Sequence, residues 1–120
     1  MSEHEDKALV QIHGNVVFIG EHQVEFPIKI REALQFKDRV LVLLAPKGKL
    51  TPDRNILCYD LHGKLIWEVE EFRPDLVNEG RIYSDIWIEK DERIIAYNTR
   101  GFDVEVDLAT GKISNFEFAK

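Results

Sequence analysis

The chain has 120 residues, 44% hydrophobic and 10% aromatic, enough to bury one core and too few for a second domain. Its 22 acidic and 16 basic side chains give a formal net charge of −6, which repels phosphate backbones and argues against nucleic-acid binding. Cys58 is the single cysteine, which excludes an intrachain disulfide and fits a reducing compartment.

Residues 1–7 are polar and acidic and read as a flexible tail ahead of a single all-β domain over residues 8–120. They lack the basic start and apolar run of a signal peptide. The longest apolar run, Val40 to Pro46, is too short to span a membrane, so the expected location is the cytoplasm.

In chain order, Ala8–Ile12 and Val16–Ile19 are short β-favouring runs joined through His13-Gly14-Asn15, a tight hairpin. Val24, Phe26, Ile28 and Ile30 alternate with Glu25 and Lys29 and predict one strand, bulged or at an edge because Pro27 cannot donate a ladder bond. Arg31–Gln35 is the most helix-friendly segment and predicts a single turn. Val40–Leu44 is apolar at every position, which predicts a central strand covered on both faces, or one packed against a partner. A breaker-rich loop, 46–54, follows with Lys47, Lys49 and Arg54.

Asn55–Glu70 is a hairpin written in turn chemistry. Asp60 and Gly63 set the bend, Leu65, Trp67 and Val69 share a face, and Glu68 and Glu70 point outward. A second long connection, 71–84, allows a helical turn at Pro74–Asn78. Asp85–Ile88 and Arg93–Tyr97 form a further hairpin. Phe102, Val104, Val106 and Leu108 then alternate with Asp103, Glu105 and Asp107, the pattern of a half-buried antiparallel strand. Ile113, Phe116 and Phe118 close the chain. The expected fold is all-β: an antiparallel meander of about ten short strands built from hairpins, packed as a sandwich or curled sheet, with at most one or two helical turns.

The hairpin repeats. Asp60…Gly63-Lys64 returns as Asp107…Gly111-Lys112, one residue longer. Cys58-Tyr59-Asp60-Leu61-His62-Gly63-Lys64-Leu65-Ile66-Trp67 resembles the Asp-x-x-(x)-Gly-Lys-x-x-Trp signature of quinoprotein-type (PQQ-like) β-propeller blades. Val106–Lys112 matches its turn. The resemblance implies blade-like four-stranded units whose Trp docks on the neighbouring blade. Two to two and a half copies are too few for a ring of about four to eight blades. No residue matches those that hold the quinone, so no cofactor is expected.

No catalytic motif occurs: there is no nucleophile elbow and no phosphate-binding glycine loop, and Ser2, Ser84 and Ser114 stand without such context. Asp60 and Asp107 are better explained by turn chemistry, with Gly63 and Gly111, than by catalysis. Asp103-x-Glu105-x-Asp107 mimics the start of a calcium loop, but Leu108 stands where that loop needs Gly. His4, His13, His22 and His62 lack metal-site spacing, and no metal is expected. Cys58 reads as a small core residue.

The remaining signal is an acidic sheet surface. Glu68, Glu70, Asp103 and Glu105, with Trp87 as an exposed aromatic, are the expected contacts for a protein partner of basic character. A bacterial toxin-immunity protein is one concrete form of such a non-enzymatic binder. The alternative is a small-ligand or carbohydrate-binding module using Trp87 and Tyr97. A monomer is the expected state, with self-assembly as the alternative.

Overall fold

The structure, a computed structural model, describes residues 10–45, 54–72 and 82–119. The basic loop residues Lys47 and Lys49, the tail and the Pro74–Asn78 turn lie outside these. Eleven strands and no helix make up the described residues. They form three antiparallel meanders. Sheet I comprises β1 (Val10–His13), β2 (Val16–Ile19) and β3 (His22–Glu25). Sheet II comprises β4 (Ile30–Phe36), β5 (Arg39–Leu44), β6 (Ile56–Asp60) and β7 (Leu65–Glu68). Sheet III comprises β8 (Tyr83–Ile88), β9 (Ile94–Asn98), β10 (Phe102–Val106) and β11 (Ile113–Phe118). No described helix is long and apolar enough to cross a membrane.

Sheet II is the middle layer. Along β5, Val40, Val42 and Leu44 pack with Val17, Ile19 and Phe26 of the sheet I side, whereas Leu41 and Leu43 pack with Ile86, Ala96 and Val104 of sheet III. Successive strand side chains face opposite ways, so one strand serves two cores. That is why Val40–Leu44 carries no polar residue: all five are buried. The stack therefore has three layers, one more than a sandwich.

Three local expectations are corrected. Arg31–Gln35 is not a helical turn but the body of β4, paired with β5 from Ile30↔Leu44 to Phe36↔Arg39. A five-residue helix cannot sustain itself, whereas pairing lets Ala33 pack toward sheet I and Leu34 and Phe36 toward sheet III. Val24–Ile30 is two strands, not one. The chain leaves β3 at Glu25, and Phe26 instead exchanges bonds with Asn15: its N–H donates to Asn15 O (2.8 Å) and its carbonyl accepts from Asn15 Nδ2 (2.7 Å). Pro27, with no N–H to give, sits in the gap before β4. Leu65 does not share the face of Trp67. A bulge sets Leu65 opposite Tyr59 and Trp67 opposite Cys58, and adjacent residues of β6 face opposite ways. Leu65 is exposed while Trp67 and Val69 are buried.

Two buried asparagines hold the backbone, one between layers and one within sheet III. Asn55 Nδ2 donates to Leu44 O (3.0 Å) and Tyr83 O (2.7 Å), and its Oδ1 accepts from Tyr83 N–H (2.9 Å). One amide thus joins sheet II to the first strand of sheet III. Asn98 accepts from Arg100 N–H at 2.8 Å, fixing the β9–β10 turn.

Candidate functional site

The turns are held as their chemistry requires. Asp60 Oδ1 accepts from His62 N–H (2.8 Å) and Lys64 N–H (3.0 Å), and these bonds, Lys64 first, hold its carboxyl below the usual range. Asp107 Oδ2 accepts from Thr110 N–H (3.1 Å) and Thr110 Oγ1 (2.7 Å), and Gly63 and Gly111 both have positive φ. The two repeats meet at Trp67. Its ring lies over Gly111, where a Cβ would come 2.4 Å from Cε3, and its Nε1–H donates to Leu108 O at 2.7 Å. Gly111 is therefore required twice, by its φ of 76° and by the ring above it. These four turn residues do structural work.

The face of sheet III that turns away from sheet II carries three of the five expected partner contacts, Trp87, Asp103 and Glu105, together with Tyr97 of the small-ligand alternative. Cross-strand register forms two rows: Trp87↔Ile95↔Glu105↔Asn115, and Asp85↔Tyr97↔Asp103↔Glu117. Trp87, Tyr97, Asp103 and Glu105, far apart in sequence, are brought onto one surface, all half-buried. Trp87 Nε1–H donates to Glu89 Oε2 at 2.6 Å. Glu105 reaches Arg93 (3.6 Å) and Asp85 reaches Arg31 (3.7 Å). Asp103 and Glu117 face each other across the ladder with no ion pair among the described residues. Desolvation first, then Glu117 and Glu89, push the Asp103 carboxyl above its usual range. The surface is shallow: the depression between Arg93, Ile95, Asp103 and Glu105 holds about 30 Å³.

Glu68 and Glu70 are elsewhere. They line a cleft of about 500 Å³ between the end of β7 and the β10–β11 turn, with Arg54, Thr110 and Lys112. Glu70 braces the two sheets: its N–H donates to Gly111 O (2.9 Å) and its Oε1 accepts from Ile113 N–H (2.8 Å). Arg54 donates to Val69 O (2.8 Å) and Glu68 O (3.2 Å). The expected contact set is thus split over two separate surfaces.

Residues 8–118 match a family described as a domain of unknown function (DUF7957). The chain belongs to the DUF7957 family. The comparison with curated proteins finds no match.

The other candidate groups of this DUF7957 domain occupy quieter settings. Among the described residues no group of three or more His, Cys, Asp or Glu could hold a metal. His22 and His62 meet edge-on across sheets I and II, ring centroids 6.0 Å apart. The sequence hid this contact, because His22, at the start of β3, and His62, in the β6–β7 turn, lie 40 residues apart in different sheets. Burial pushes the Cys58 thiol up to about 12, against the lowering effect of Arg39, so it is no nucleophile near neutral pH. Asn55 and Glu117 were not readable as brace or site residues, and Glu70, expected as a partner contact, was not readable as a brace: their partners lie 28, 14 and 43 positions away in sequence.

Proposed function

We propose that the protein is a non-enzymatic, cytoplasmic binding module that docks a basic protein partner on the outer face of sheet III. A toxin-neutralising immunity protein is one form this would take. The observation that carries the reading is the convergence of Asp103, Glu105, Asp85 and Glu117 with Trp87 and Tyr97 on one shallow sheet face that no other described strand covers. Acids fixed on such a surface raise the local concentration of a cationic partner and its on-rate by about 10- to 1,000-fold. An aromatic with acids around it supplies the desolvated anchor. The small-ligand alternative is less well supported. The depression beside Ile95 is far below the ~300–1,000 Å³ of typical ligand sites, and the larger cleft contains neither Trp87 nor Tyr97.

The same reading takes the sheets as blade-like units. In sheets II and III the Asp-to-Lys turn joins the last two strands, and Trp67 rests on the turn of the following sheet. Two four-stranded units and one three-stranded unit fall short of a ring.

The test is capture from source-cell extract, with the bound chain identified by mass spectrometry and its association rate then measured in low salt. Asp103→Lys with Glu117→Lys should abolish capture and slow association at least about tenfold, while Glu68→Lys, in the separate cleft, leaves both intact. Equal loss with all variants, or none with the face variant, refutes the assignment.

A further inference from the structure

We propose a second interaction surface, bordering the docking face and sharing Asn115 and Glu117 with it: the open edge of β11, which pairs with β11 of a second copy of this chain. The backbone pattern defines the edge. Ala119 N–H donates to Gly101 O (2.8 Å), and Phe102 pairs with Phe118, so Gly101/Ala119, Asp103/Glu117 and Glu105/Asn115 exchange ladder bonds. The N–H and C=O groups of Phe116 and Phe118 therefore point away from β10, with no hydrogen-bond partner among the described residues.

Other strand ends in this stack are capped. Arg54 covers the carbonyls of Glu68 and Val69 beside β7, Asn55 holds both backbone groups of Tyr83 at the start of β8, and Glu70 takes Ile113 N–H at the start of β11. Beyond Ile113 no such cap occurs among the described residues. Ser114-Asn115-Phe116-Glu117-Phe118 has neither the Lys nor the Pro that usually blunts an edge. Phe116 and Phe118 are 47% and 71% exposed, although their rings extend a cluster with Phe102 and Phe72 at centroid distances of 4.5–5.8 Å.

The edge is complementary to itself in the register centred on Phe116. An antiparallel pair centred on Phe116 sets Phe116 against Phe116 of the second copy and sets each Asn115 opposite the other copy's Glu117. The amide can then donate to the carboxylate, twice by symmetry. Centring on Glu117 would oppose two carboxylates, which is unfavourable. The favoured register covers both exposed Phe rings and closes on a two-fold axis, so the edge is consumed and no fibre grows.

The test is sedimentation of the full chain across a concentration series, with hydrogen exchange read at Phe116 and Phe118. A dimer is expected, with both amides protected at high concentration and open at low. Asn115→Lys, facing Glu117 of the second copy, should tighten the dimer and Asn115→Glu should weaken it. Each shift is about three- to tenfold, since every charge pair occurs twice. Thermal melts show that both variants fold. A monomer at all concentrations overturns the proposal, as does a dimer whose constant the two variants leave unmoved or shift in the same direction.

Discussion

Replacing Gly111 with alanine would place a methyl carbon 2.4 Å from Cε3, 2.6 Å from Cδ2 and 3.0 Å from Cγ of Trp67. These are ring atoms of a buried side chain, held by a hydrogen bond to Leu108 O, so the ring cannot simply swing clear. Three costs combine. A non-glycine residue at a φ of 76° costs about 1–2 kcal/mol. Forcing extra volume into a packed contact costs about 1–3 kcal/mol. Losing the indole hydrogen bond adds about 1 kcal/mol. Gly14 is the internal control, with a φ of 66° and nothing within 4 Å of an added Cβ. Gly14→Ala should show the conformational cost alone, so Gly111→Ala should exceed it by about 2–4 kcal/mol. Equilibrium urea unfolding of both variants gives the difference. In a Trp67→Leu background the ring is gone, and Gly111→Ala should fall back to about 1–2 kcal/mol. If Gly111→Ala matches Gly14→Ala within about 0.5 kcal/mol, or costs the same in both backgrounds, the docking of one repeat on the turn of the next is not what holds sheets II and III together.

Two further outcomes follow from the same geometry. Asn55→Ala strips partners from Tyr83 N–H, Tyr83 O and Leu44 O in a fully buried setting, and should cost about 3 kcal/mol or more in urea unfolding. A loss under about 1 kcal/mol would mean that water replaces the amide. The Asp103 carboxyl is raised above its usual range, so the folded state holds that proton more tightly than the unfolded one. Its stabilising effect is complete below the unfolded value, about 3.9, and is lost as pH rises through the folded value. Asp103→Asn should therefore melt higher than the parent at neutral pH, with the gap closing by about pH 3. A variant that melts lower at pH 7 than at pH 3, relative to the parent, contradicts a carboxyl raised by burial and by the neighbouring Glu117 and Glu89.

Much of the fold was legible because single residues carry clear signals. Val40–Leu44, apolar at every position, reads as a strand covered on both sides or packed on a partner, and Asp60 with Gly63 is best explained as a turn. Arg31–Gln35 misled because its residue types favour a helix while its partner, β5, lies a few residues ahead and decides otherwise. Leu65 misled because a bulge shifts phase without any Gly or Pro to announce it. For the candidate site, alternation placed Asp103 and Glu105 outward correctly, since it depends only on period two. It had no means of telling that Glu68 and Glu70, also outward, belong to a different surface. That depends on which sheet lies beyond, and layer order is not a local property of the chain.

Counting back from the repeated turns makes the outer face of sheet III comparable, position by position, with the face of sheet II that sheet III covers. Leu34, Leu41 and Leu43 correspond to Trp87, Ile95 and Tyr97, so the apolar half is kept. Ile56, Cys58 and Trp67 correspond to Asp103, Glu105 and Asn115, so the other half has become polar. Ending a stack requires only that the last face be wettable, and Ser, Thr or Asn would achieve that without electrostatic cost. Sheet III instead sets Asp103 opposite Glu117, like charges directly across the ladder, and burial first, with Glu117 and Glu89 adding to it, raises the Asp103 carboxyl. Stability forgone at a surface position, with an inexpensive alternative at hand, is characteristic of a site under a second demand. The comparison also orients the proposed partner. Its apolar contacts fall over β8 and β9, where an anchor already exists, and its cationic groups fall over β10 and β11, where their arrival removes the repulsion between Asp103 and Glu117.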